Sequence, residues 1–104
     1  MKIEYNIENN KLHISYFGEL DECSAVKVRT ATDKIINENS YVKEVIFNLS
    51  KLTFMDSTGI GMMIGRYKKL KSMGIVVYTK NPSLSVDKIY QISGLYKIMP
   101  KIWK

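Results

Sequence analysis

This 104-residue chain has one cysteine, one histidine and no long apolar run. A lone Cys23 cannot close an internal disulfide, so a reducing cytoplasm is the expected setting. Its thiol is expected to be small and semi-buried near a helix start. A lone His13 leaves any Ser–His hydrolysis with one possible base, on what reads as a hairpin strand. No cluster of His, Cys, Asp and Glu has metal-ligand spacing, and no Gly-rich, lysine-containing phosphate loop is present. Apolar stretches fall short of the roughly 18 residues that span a bilayer. Met1-Lys2-Ile3-Glu4 also lacks the apolar block of a signal peptide. The expectation is therefore a non-enzyme without metal, cofactor or membrane attachment.

What is present suits one soluble domain over residues 1–104. Hydrophobic residues make up 45% and charged residues 25%, a balance that supports a single core without staples. The formal charge of +6 is uneven. Residues 1–50 hold six Lys/Arg against eight Asp/Glu, or −2, and residues 51–104 hold ten against two, or +8. Such asymmetry keeps a basic nucleic-acid-binding domain open as an alternative. The aromatics, however, are not interleaved with the lysines in a stacking pattern, and direct nucleic-acid binding is not the reading preferred.

Periodicity orders the chain without linkers or repeats. Ile3, Tyr5 and Ile7 alternate with polar residues, Asn9-Asn10 intervene, and Leu12, Ile14 and Tyr16 alternate again, as in a β-hairpin. Gly18-Glu19-Leu20-Asp21 is expected to close the hairpin and lead into a helix over residues 22–38. Val45-Ile46-Phe47-Asn48-Leu49 is a short apolar run typical of a strand covered on both faces. A loop carrying Ser57 follows, then a second helix to about residue 73, ended by Gly74. Ile75-Val76-Val77-Tyr78 reads as a further strand, and Asn81-Pro82-Ser83 opens a third helix that stops near Gly94. Strands joined through helices imply parallel crossovers. The expected fold class is α/β: a mixed, mostly parallel sheet of four to five strands, an N-terminal antiparallel hairpin and three to four helices.

Met55-Asp56-Ser57-Thr58-Gly59 is the most informative stretch. It sets Ser57 where a strand gives way to a helix, near the positive end of the helix dipole. A hydrolase elbow wants glycine two residues either side of the serine, and position 55 is methionine. Asp56 reads as an acceptor for free N–H groups at the helix start. Along this helix Ile60, Met63, Ile64, Tyr67 and Leu70 fill one arc of about 120°, the side expected to face the sheet. Thr58, Gly61, Met62, Gly65 and Lys69 fill the arc opposite. A helix-interior glycine is about 0.8–1 kcal/mol less favourable than alanine. Two of them are either tolerated imperfection or a smooth strip, with Met62 exposed beside it, that lets another protein approach closely. The second reading accounts for both glycines and the outward methionine. A phosphate on Ser57 would add about −1.5 to −2 charge at a helix start that tolerates it, while obstructing a partner on that strip.

Phe54-Met55-Asp56-Ser57-Thr58-Gly59-Ile60-Gly61, continuing through Gly65-Arg66-Tyr67-Lys68, resembles the signature of the STAS domain family of bacterial anti-sigma factor antagonists. Gly18-Glu19-Leu20-Asp21 resembles that family's loop after the hairpin, and Ser93-Gly94-Leu95 its late helix terminus. The resemblance covers essentially the whole chain. It implies that the unphosphorylated protein binds an anti-sigma factor with serine kinase activity and so releases a sporulation sigma factor. It further implies that this kinase inactivates the antagonist by phosphorylating Ser57, and that a PP2C-like phosphatase restores it. Glu19 and Asp21 would lie near Ser57 and face the partner, with Asp56 holding the local geometry; Thr58 stands where many relatives carry a second serine. Glu19, Asp21 and Glu22 read equally well as helix-start acids. The free protein is expected to be monomeric. A nucleotide- or anion-sensing STAS module is the remaining alternative.

Overall fold

The computed structural model describes residues 1–102. Along the chain run β1 (Lys2–Glu8), β2 (Lys11–Leu20), α1 (Ala25–Glu38), β3 (Glu44–Asn48), β4 (Leu52–Met55), α2 (Ser57–Ser72), β5 (Val76–Lys80), α3 (Leu84–Ser93) and β6 (Lys101–Ile102). A 3-10 turn at Leu95–Lys97 precedes β6. The sheet order is β1-β2-β3-β5-β6, with β4 paired to the far end of β2. Among the described strands only the β1–β2 pair is antiparallel. The architecture is thus the expected α/β one, with the N-terminal hairpin and three α-helices.

Asn9 and Asn10 turn the hairpin with φ of 54° and 62°, the left-handed pair that a two-residue loop requires and that asparagine tolerates. Glu8 accordingly faces Lys11. Gly18 does not close the hairpin; β2 runs on to Leu20. At Gly18 (φ +116°) the register shifts by a bulge, and the strand leaves β3 to pair with β4. A backbone bend of that kind favours glycine. The first helix begins at Ala25, three residues later than expected, because the Asp21 carboxylate holds a turn by accepting from the N–H groups of Cys23 and Ser24, both at 3.0 Å. Cys23 in that turn is exposed, not semi-buried.

The sheet has six strands where four to five were expected. The additions, β4 and β6, are four and two residues long. Strands that short carry no readable alternation and exist because β2 and β5 offer them an edge. β6 falls in the tail; Trp103 and Lys104 lie outside the described residues.

All three helices pack on one face. Leu12, Ile14 and Tyr16 of β2, Val45 and Phe47 of β3 and Val77 of β5 join Val28 and Ile35 of α1, Met63 and Leu70 of α2 and Val86 and Tyr90 of α3 in one cluster. The helices cover one face of β3, yet Val45, Ile46, Phe47 and Leu49 are all buried, so the run is shielded on both sides as its apolar character implies. Ile46 is 3% exposed yet stands outside that cluster. On the face away from the helices its strand neighbours His13 and Tyr78, themselves half-buried, flank it. On the helical face, Tyr16 stacks on Phe47 at 5.9 Å, and its hydroxyl meets the Thr32 hydroxyl at 2.7 Å. Burial pushes the Tyr16 hydroxyl pKa well up, against the opposing pull of that bond.

Candidate functional site

The site grows from the junction of β4 and α2. Met55 ends the strand buried, and Asp56 follows in extended backbone as the N-cap of α2. Asp56 Oδ1 accepts from the Gly59 N–H at 3.0 Å, while Oδ2 accepts from the Glu22 N–H at 3.3 Å. The Asp56 N–H in turn donates to the Leu20 carbonyl at 3.2 Å. One aspartate thereby fixes the helix start and ties it to the chain leaving β2. The pairing of Glu19 with Phe54 and Leu20 with Met55 brings that chain alongside.

Ser57 is the first residue of α2 and is exposed, as is Thr58. Among the described residues neither hydroxyl has a hydrogen-bond partner. The first N–H groups of a helix have no intrahelical acceptor, so the Ser57 oxygen projects from the positive end of the dipole. Ser57 and His13 are far apart. His13 lies on the sheet face away from the helices, seven positions before Leu20 along β2, about 23 Å of strand.

Gly59 is buried under the end of β2, and a Cβ there would stand 2.6 Å from the Leu20 carbonyl oxygen and 2.8 Å from Met55 Cγ. At Gly61 and Gly65 an added Cβ would meet nothing within 4 Å. The two glycines of the outward arc are thus open, and a third, which periodicity does not single out, is the one required by packing.

Met62 contradicts the expected arrangement. It is 7% exposed and belongs to the core cluster, whereas Ile60, Ile64 and Tyr67 are only partly buried. The buried stripe of α2, carried by Gly59, Met62, Met63 and Leu70, is turned by roughly 80° from the apolar arc at 100° per residue. The reason is α1, which packs beside α2 and covers the arc where Met62 lies. Arg66 shares that arc; its Nε lies 2.8 Å from Asp33 Oδ1 of α1, with the arginine side chain 11% exposed.

Between the helices runs a groove of about 300 Å³, lined by Val26 and Arg29 of α1 and by Thr58, Gly61, Gly65 and Arg66 of α2. Val26 is 62% exposed. Arg29, Arg66 and Val26 are site residues that sequence reasoning missed. For Val26 and Arg29 the only sequence signal is helical spacing, since they lie three apart and share a face of α1; Arg66 stands inside the family motif, which does not single it out.

Glu19 is exposed and Asp21 half-buried beside the α2 start. Asp21 spends one carboxylate oxygen on the turn before α1, and Ser24 Oγ donates to the Glu19 carbonyl at 2.9 Å. The structure therefore brings together Glu19, Asp21, Asp56, Ser57 and Thr58 at one end, with Gly61 and Gly65 running away from them. Chemically, the arrangement offers an unengaged hydroxyl and an accessible strip, with the Asp56 and Asp21 carboxylates engaged by backbone N–H groups.

Residues 2–104 match the STAS domain model. The anti-sigma F factor antagonist of Paenibacillus polymyxa is 34% identical over 102 residues, covering 96% of this chain and 85% of the relative. That of Lysinibacillus sphaericus is 37% identical over 82 residues, covering 79% and 69%. The solved anti-sigma factor antagonist SpoIIAA in its unphosphorylated form superposes with a TM-score of 0.78 at 30% identity, over 99% of this chain and 90% of that one. The phosphorylated form of the Bacillus cell fate determinant SpoIIAA gives a TM-score of 0.71 at 29% identity, over 99% and 93%.

Proposed function

Because the chain belongs to the STAS domain family, we propose that it is an anti-sigma factor antagonist whose active form carries an unmodified Ser57. In that form it docks an anti-sigma factor with serine kinase activity and releases a sporulation sigma factor. Two relatives at 34% and 37% identity are themselves named anti-sigma F factor antagonists. The observation that carries the reading is the exposed Ser57 hydroxyl beside the open Gly61–Gly65 strip. Transfer of a phosphoryl group from ATP to Ser57 Oγ would place two negative charges at the head of α2. There the dipole and unpaired N–H groups accommodate them, so the fold survives. The same charges would obstruct a partner by bulk and by repulsion from its acidic groups. The likeness of the whole chain to SpoIIAA, which is known in unphosphorylated and phosphorylated forms, supports the modification. A PP2C-like phosphatase would reset it.

Glu19 and Asp21 would attract a basic patch on the partner and speed association. Since Asp21 also holds the turn before α1, Glu19→Lys tests that attraction more cleanly than Asp21→Lys. The central test incubates the protein with ATP and the candidate anti-sigma factor, followed by mass spectrometry. One phosphate on Ser57 is expected, none on Ser57→Ala, and no partner binding by Ser57→Asp in calorimetry. Tight binding by the aspartate form, or phosphate on another residue, would overturn the switch.

A further inference from the structure

Among the described residues β1 is an edge of the sheet, with β2 on one side and no strand on the other. The two-residue turn makes Glu8 and Lys11 a hydrogen-bonded pair, and antiparallel alternation then turns the backbone groups of Lys2, Glu4, Asn6 and Glu8 toward β2. The N–H and C=O groups of Ile3, Tyr5 and Ile7 consequently face outward, unpaired along a seven-residue edge. Tyr5 is 48% exposed there.

We infer that this edge pairs with β1 of a second copy, antiparallel and centred on Tyr5, joining two sheets across a two-fold axis. The inference stands apart from the proposed antagonist role and departs from the expectation of a free monomer. Its support is the self-complementarity of Lys2-Ile3-Glu4-Tyr5-Asn6-Ile7-Glu8. In the centred register Tyr5 faces Tyr5, Ile3 faces Ile7, Glu4 faces Asn6 and Lys2 faces Glu8. Every outward N–H and C=O of residues 3, 5 and 7 then finds a partner. Slipping by two residues either way sets Glu4 against Glu4 or Glu4 against Glu8, so charge selects the centred register. Slipping by one apposes an outward backbone with an inward one and loses the ladder. Within the free chain the Lys2 ammonium lies 3.2 Å from Glu4 and 5.1 Å over the Phe17 ring; both are exposed surface contacts, weak enough to be exchanged for Glu8 of a second copy.

Sedimentation equilibrium of the full chain from about 10 µM to about 1 mM tests the idea, since dimer rises with concentration by mass action. A reversible monomer–dimer equilibrium is expected. Lys2→Glu makes both symmetry-related pairs repulsive and should weaken association at least about tenfold. Adding Glu8→Lys to it should recover most of the loss. Tyr5→Pro removes an outward N–H that the internal ladder does not use, so it should stay folded by circular dichroism yet sediment as monomer. Monomer alone at the highest concentration, dimerisation by Tyr5→Pro equal to that of the unaltered chain, or a double charge variant no tighter than Lys2→Glu would each overturn the proposal.

Discussion

Three glycines of α2 lie within seven residues, and replacing each by alanine should move stability in opposite directions. At Gly59 the new Cβ would sit 2.6 Å from a backbone oxygen and 2.8 Å from Met55 Cγ. A backbone atom of β2 cannot step aside without disturbing the β2–β4 pairing, so overpacking of about 1–3 kcal/mol applies. Alanine's better helix propensity returns about 0.8–1 kcal/mol, leaving a net loss of up to about 2 kcal/mol. At Gly61 and Gly65 no atom lies within 4 Å of the added methyl. Each substitution should therefore stabilise by about 0.5–1 kcal/mol, partly by restricting the unfolded chain. Urea unfolding followed by far-ultraviolet circular dichroism reads these differences as shifts of midpoint at constant slope. If the glycines are kept for docking, the Gly61→Ala and Gly65→Ala proteins should be more stable and bind the anti-sigma factor more weakly. Loss of stability at Gly61 or Gly65 equal to that at Gly59 would refute the steric reasoning.

Asp56→Ala removes an N-cap and the tie to the Glu22 N–H together, and should lower unfolding free energy by about 1–2 kcal/mol in the same urea assay. Thr32→Val keeps the shape of that side chain but leaves the buried Tyr16 hydroxyl without its partner. A loss of about 1–3 kcal/mol is expected, mostly reversed by adding Tyr16→Phe. The His13 pKa is lowered, by burial first and by Lys80 next, with Glu8 and Glu44 opposing. The folded state thus binds its proton less readily than the unfolded chain, so stability rises with pH between the folded pKa and the unfolded value near 6.5. Thermal melts of His13→Gln should show less loss of stability than the unaltered chain as pH falls from 7 to 5. Identical pH dependence of the two proteins would remove His13 from that account.

Local pattern sufficed wherever an element carries its own signal. The Asn9-Asn10 turn, the alternation of β1 and β2, the helical spacing of Val28, Thr32 and Ile35, and the Gly94 stop of α3 are each decided by the residues themselves. So is the placing of Ser57 behind a capping aspartate at a strand-to-helix junction. The motif around it carried the family. Neighbours decided the rest. β4 and β6 are strands because β2 and β5 present edges to them, and their own residues give too little pattern to read. Met62 is buried because α1 lies against that arc of α2, and helical periodicity reports an apolar stripe without saying how many bodies will cover it. Gly59 is indispensable for a carbonyl of β2, thirty-nine positions earlier in the chain, that no local reading could bring near. Sequence fixes conformational preference residue by residue, whereas burial and close approach are properties of pairs, and pairs distant along the chain exist only once it has folded.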